Sequence, residues 1–152
     1  MNLLTVVTEA WNEQSGFGSR LARIGMSIGA ERIGGSVYDL PPGESVCPFH
    51  FHYGVEEWLV VLEGRPTLRT PDGEQVLEPW DAASFPVGPA GAHLVRNDTP
   101  ESVRILMLST VANPSIAVYP DSDKIGTRPD VDADRLDFLR SSAVDYWTGE
   151  GA

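Results

Sequence analysis

The sequence predicts an all-β domain, a sandwich or barrel of short strands. Three observations carry this. Fifteen Gly and twelve Pro in 152 residues supply many corners. Strand-like runs recur at short, even spacing with turn chemistry between them. Helical spacing is confined to one segment near the C-terminus. At 41% hydrophobic and 22% charged the chain is globular, and its length suits one domain with a sizeable core.

In chain order the expected strands are Leu3–Thr8, Leu21–Ile28, Gly35–Leu40, Val46–Phe51, Glu57–Leu62, Thr67–Thr70, Glu74–Leu77, Ala83–Phe85, His93–Arg96, Val103–Leu108 and Ser115–Val118. Pro41-Pro42-Gly43, Pro71-Asp72-Gly73, Gly88-Pro89-Ala90-Gly91 and Asn97-Asp98-Thr99-Pro100 separate them as turns. The run from Thr67 to Leu77 reads as a hairpin with Asp72-Gly73 at its tip. From Asp132 to Ala143, Leu136, Leu139 and Ala143 fall at helical spacing behind a candidate N-cap, Asp132, which predicts a short helix in a C-terminal tail. Residues 1–30 are expected to supply N-terminal strands packing on the barrel or on a partner subunit, 31–120 the barrel, and 121–152 the tail. Trp58, Trp80, Phe49, Phe51 and Phe85 are expected in the barrel core.

Eleven basic against 22 acidic side chains give a net charge of −11, with one lysine and ten scattered arginines. No basic stripe exists to neutralise phosphates, so nucleic acid and anionic membranes are poor partners. A single cysteine, Cys47, forms no internal disulfide, and the first residues lack the basic start of a signal peptide. No apolar run is long enough to span a bilayer. The expected location is cytoplasmic.

The chain has only three histidines, and two form His50-Phe51-His52. On a strand, residues i and i+2 share a face, which sets two imidazoles side by side. Imidazole is the commonest side-chain metal ligand near neutral pH. Glu57 lies at an odd offset from His52, but Gly54 permits a bend that resets the alternation. Glu57 then aims inward and Glu56 away. Cys47, three residues before His50, is expected to face away as a buried inert thiol. Asn97-Asp98-Thr99 fits a glycosylation acceptor but is set aside without a secretory signal.

Gly43-x6-His50-x-His52-x4-Glu57-x6-Gly64 resembles the first motif of the cupin superfamily. Trp80-x5-Pro86-x-Gly88-x4-His93-x3-Asn97 resembles the second. Three departures stand out: one extra residue before His50, Trp80 where Gly is usual, and two extra residues, Pro89 and Ala90, before His93. None removes a ligand. The runs Glu31–Gly43 and Tyr119–Gly126 also look like small stand-alone bacterial cupins of unassigned reaction. The resemblance implies a jelly-roll β-barrel holding one divalent metal through His50, His52, Glu57 and His93.

Nitrogen and oxygen donors without thiolate suit iron, manganese, nickel, cobalt or zinc alike. Open positions on such an ion allow a small polar organic molecule to chelate it, as in a dioxygenase or an isomerase. The alternative is a non-catalytic small-molecule binding or sensing module. Tyr38, Tyr53 and Arg65 are the polar candidates beyond the ligands. Neutral imidazoles compete with protons, so metal binding is expected to weaken below about pH 6.5. A homodimer is expected, pairing through the apolar Leu3–Thr8 edge.

Overall fold

The computed structural model describes residues 1–151 and is nearly all β. Its strands are β1 (Glu9–Asn12), β2 (Ser19–Arg23), β3 (Ile33–Leu40), β4 (Phe51–Tyr53), β5 (Glu57–Glu63), β6 (Thr67–Thr70), β7 (Gly73–Val76), β8 (Ala82–Phe85), β9 (Leu94–Arg96), β10 (Val103–Thr110), β11 (Ser115–Tyr119), β12 (Lys124–Arg128) and β13 (Asp137–Leu139). Three antiparallel sheets form, in orders β1-β2-β3-β10-β5-β8, β13-β12-β11-β4 and β7-β6-β9. Among the described residues, no helix is long and apolar enough to cross a membrane.

Period-2 alternation explains the largest sheet. On β5, Leu59 and Val61 face inward and are fully buried, as are Val103 and Ile105 on β10. With Leu40, Leu68, Leu77, Phe85 and Val95 they form the main core. Each such side chain contributes on the order of 2 kcal/mol by leaving water. Val37, Leu62 and Leu106, on the opposite face, build a second cluster with Ile24, covered by Leu3 and Val6.

Four local expectations change. Leu3–Thr8 is not a strand: the segment lies over the outer sheet face, because Arg104 donates to the carbonyl of Leu4 (2.5 Å) and Thr8 Oγ1 donates to Asp39 (2.6 Å). The hairpin turns one residue earlier, at Pro71-Asp72, since Thr70 pairs with Gly73. The expected α-helix over Asp132–Ala143 does not form. Two single 3₁₀ turns flank β13, whose backbone pairs with β12, and Leu136 and Leu139 stay exposed. A twelve-residue helix with no surface to bury against is marginal, so strand pairing prevails. Phe49, Phe51 and Phe85 are buried as expected, but Trp58 and Trp80 are 48% and 70% exposed. Trp58 lies on the outward parity of β5, and Trp80 sits at a turn.

Candidate metal centre

Each of the four expected ligands is placed by a different local device. His52 lies on β4 opposite Ala117 of β11, whose small side chain leaves the imidazole room. His50 precedes β4 and exchanges two backbone hydrogen bonds with His93, 3.1 and 2.8 Å long. Gly54 turns the chain with φ +87°, a left-handed value that suits glycine. Glu57 then opens β5 on the same parity as Leu59 and Val61, so its carboxylate points into the barrel. Glu56 faces out and accepts a hydrogen bond from Trp58 Nε1 at 3.0 Å.

His93 follows a single 3₁₀ turn, Pro89–Gly91. The two residues beyond the usual motif spacing are taken up by this turn without displacing the ligand. The Gly88 N–H donates to the His52 carbonyl (2.8 Å), tying the turn to β4. The His93 ring stacks on Phe85 at 3.7 Å, and Phe85 is Glu57's cross-strand partner. One wall therefore holds both side chains.

The four side chains converge. Glu57 Oε2 lies 3.4 Å from His52 Nε2, 3.7 Å from His93 Nε2 and 3.8 Å from His50 Nε2. One donor atom each from His50, His52 and Glu57 falls in a group spanning no more than 4.8 Å. His50 Nδ1 lies 3.0 Å from the Pro48 carbonyl and His93 Nδ1 2.9 Å from that of Gly91. Those carbonyls only accept, so each Nδ1 carries the proton and each Nε2 presents a lone pair to the centre. His52 Nδ1 is buried with no protein partner. This donor set fits a divalent ion.

The electrostatics agree. Burial pushes His52 down to about 4 and His93 to about 3, and also lowers His50. Burial raises Glu57 to about 7. At neutral pH the imidazoles are therefore uncharged, and the carboxylate is costly to ionise without a cation beside it.

The group lines a cavity of about 220 Å³ whose wall also includes Tyr38, Cys47 and Met107. Cys47 thus faces the cavity rather than away, with Sγ 3.4 Å from His50 Nδ1. The Val46–Phe51 segment is not continuous strand, so alternation does not govern it. Burial raises the Cys47 thiol and lifts the Tyr38 phenol to about 12, keeping both protonated. Tyr53 is half exposed, and Arg65 pairs with Glu78 on the surface, so neither lines this cavity. Sequence reasoning missed Tyr119, whose ring stacks on His50 at 6.0 Å, and Arg128. Arg128 lies on β12, a strand not drawn from the sequence.

The cupin-domain family model matches residues 36–109, which contain all four converging side chains. Residues 36–109 are a cupin domain. This cupin's fold is similar to that of a sugar phosphate isomerase from Silicibacter pomeroyi, with 23% identity, 94% of each chain covered and a TM-score of 0.82. A protein of Acidithiobacillus ferrooxidans provisionally named a sugar phosphate isomerase is 23% identical (85% of this chain, 81% of that one, TM-score 0.77). A polyketide cyclase from Streptomyces resistomycificus is 25% identical (72% and 77%, TM-score 0.60). No curated protein matches. At these identities the likeness establishes the jelly-roll barrel, while the reaction is a matter for the site. Asn97, which ends the second motif, is fully buried and structural: Nδ2 donates to the Leu40 and Glu101 carbonyls, and Oδ1 accepts from Thr99.

Proposed function

We propose that this cupin holds one divalent metal through His50, His52, Glu57 and His93 and is an enzyme acting on a small polar organic molecule. The observation that carries this is the meeting of three Nε2 lone pairs at one carboxylate oxygen, 3.4–3.8 Å away. When bound, such an ion acts as a Lewis acid on a substrate oxygen. The protonated Tyr38 phenol and Cys47 thiol offer hydrogen-bond donors to a molecule in the cavity. The names of two relatives of this fold favour an isomerase-type reaction over a dioxygenase. One observation supports a second reading, a non-catalytic binding module: beyond the ligand set, the protic side chains lining the cavity are Tyr38 and Cys47, both held protonated.

Metal analysis of the purified protein and its variants tests the proposal. Each of His50→Ala, His52→Ala and His93→Ala should lower occupancy at least tenfold in a folded protein. Glu57→Gln should do the same, whereas Glu56→Gln should leave occupancy unchanged. The reverse result for the two glutamates would place the register wrong by one residue. Burial holds all three folded histidines below their ordinary value, His52 near 4 and His93 near 3, so the proton that competes with metal near neutrality is Glu57's. Affinity should therefore fall as pH drops through about 7, by up to tenfold per unit for one competing proton, and Glu57→Gln should flatten that dependence. Substrate turnover lost on metal removal separates the enzyme from the binding module.

A further inference from the structure

A depression of about 300 Å³ adjoins the His/Glu cavity as its mouth, and His52 and Glu57 line both. Arg128 stands in the wall of this mouth with the hydroxyls of Ser109, Thr110 and Ser115. It is the one lysine or arginine among the lining residues, in a chain of net charge −11. The guanidinium is held there by construction. It occupies space that a side chain at Gly126, two residues earlier on β12, would fill. Nη2 donates to Tyr119 Oη (2.8 Å) and Asp137 Oδ1 (2.7 Å), and Nη1 donates to the Thr127 carbonyl (2.8 Å). These bonds take three of the five N–H groups, leaving Nε–H and one Nη1–H without a partner among the described residues. Thr110 Oγ1 accepts from the Glu56 N–H, so its own proton also remains to be donated. Tyr119, which fixes Arg128, stacks on His50 and couples the guanidinium's position to the histidine cluster.

Unspent planar N–H donors beside hydroxyls match an oxyanion. We propose that this mouth is an oxyanion subsite, and that the substrate is a small organic anion whose phosphate or carboxylate lies at Arg128 while its oxygen donors reach the His/Glu cluster. The second half of this statement rests on the metal reading; the subsite itself does not.

The test is calorimetry on the metal-loaded protein with 2-hydroxyethyl phosphate, glycolate and neutral ethylene glycol. The anions should bind at least tenfold tighter than the diol, and whichever anion binds tighter identifies phosphate or carboxylate as the natural group. Arg128→Gln should weaken anion binding at least tenfold while leaving metal content and diol binding unchanged. Asp137→Asn, which removes the competing carboxylate, should tighten anion binding several-fold. Equal anion binding by wild type and Arg128→Gln, or a diol bound as tightly as the anions, would overturn the proposal. If Arg128→Gln does not fold, Asp137→Asn decides, and no gain in anion affinity overturns it. Inorganic phosphate titrated into metal-stripped protein separates the two readings. Arg128-dependent phosphate binding in a protein that takes up no metal keeps the subsite and sinks the metal site. A metal-loaded protein indifferent to every anion does the reverse.

Discussion

At the scale of single residues, the site and its supports are set by parity and by backbone conformation. Trp80 occupies a turn with φ +76°, in the left-handed region where a bulky side chain costs about 1–2 kcal/mol. Its indole is largely exposed and returns little packing. Its N–H donates to the Val61 carbonyl at 2.8 Å, a bond that survives any substitution except proline. Trp80→Gly, which restores the usual motif residue, should therefore stabilise the protein by up to about 1 kcal/mol, seen as a Tm rise of a few degrees with metal content unchanged. A second residue-scale feature is the part-buried junction on the outer sheet face. Arg104 grips Asp39 with two hydrogen bonds of 2.7 and 2.8 Å. Burial alone would raise the Asp39 pKa, but the bonds from Arg104 and Thr8 outweigh it and hold the group below its ordinary value. A depressed folded pKa contributes stability that is present above the unfolded value, near 3.9, and is lost as pH falls through the folded one. Acid unfolding should therefore include an Asp39 component below about pH 4, and Asp39→Asn should flatten the urea midpoint against pH in that range.

At the scale of elements, the turn before β9 carries the most consequence. A Cβ at Gly91 would overlap the Pro86 carbonyl, and the Gly91 carbonyl is the acceptor that orients His93. Gly91→Ala should cost about 2 kcal/mol or more in chemical denaturation and lower metal occupancy together, because relieving the overlap moves the residue that delivers the ligand. This turn also marks the limit of what could be read from the chain. The pairing of His50 with His52 and the inward turn of Glu57 were legible from i, i+2 spacing and a glycine bend, which are local rules. His93 was reached through the resemblance of the second motif. The core of β5 and β10 follows the strand period. Four other features did not follow from local rules. The Leu3–Thr8 segment has strand composition but is captured by Arg104 and Asp39, which lie far along the chain. The helical spacing of 132–143 lost to pairing with β12. Cys47 faces the cavity because its segment leaves regular strand geometry, which alternation cannot anticipate. Arg128 and Tyr119 acquire their roles only when β11 pairs with β4 and β12 with β11, and no spacing in the sequence announces that.

At the scale of the whole molecule, the outer face of the largest sheet remains partly bare. Trp58 and Ile33 are about half exposed and border a shallow apolar cleft of about 190 Å³ with Leu108. We expect this face to pair with a second copy of the chain, in place of the Leu3–Thr8 edge, which is already spent on the chain's own core. Sedimentation at micromolar concentration should give a dimer, and Trp58→Glu should shift it to monomer without loss of fold or metal. A wild-type monomer under those conditions would refute the pairing.

The paired backbone bonds between His50 and His93 join β4 to the start of β9, and so one sheet to another. The same two residues supply two of the three imidazole rings that meet Glu57. Closing the barrel at this seam therefore also brings these two rings together. An ion bound there would tie the two sheets across this closure, so metal loading should stabilise the seam against opening. Metal loading would then slow amide exchange along this seam as well as fill the site.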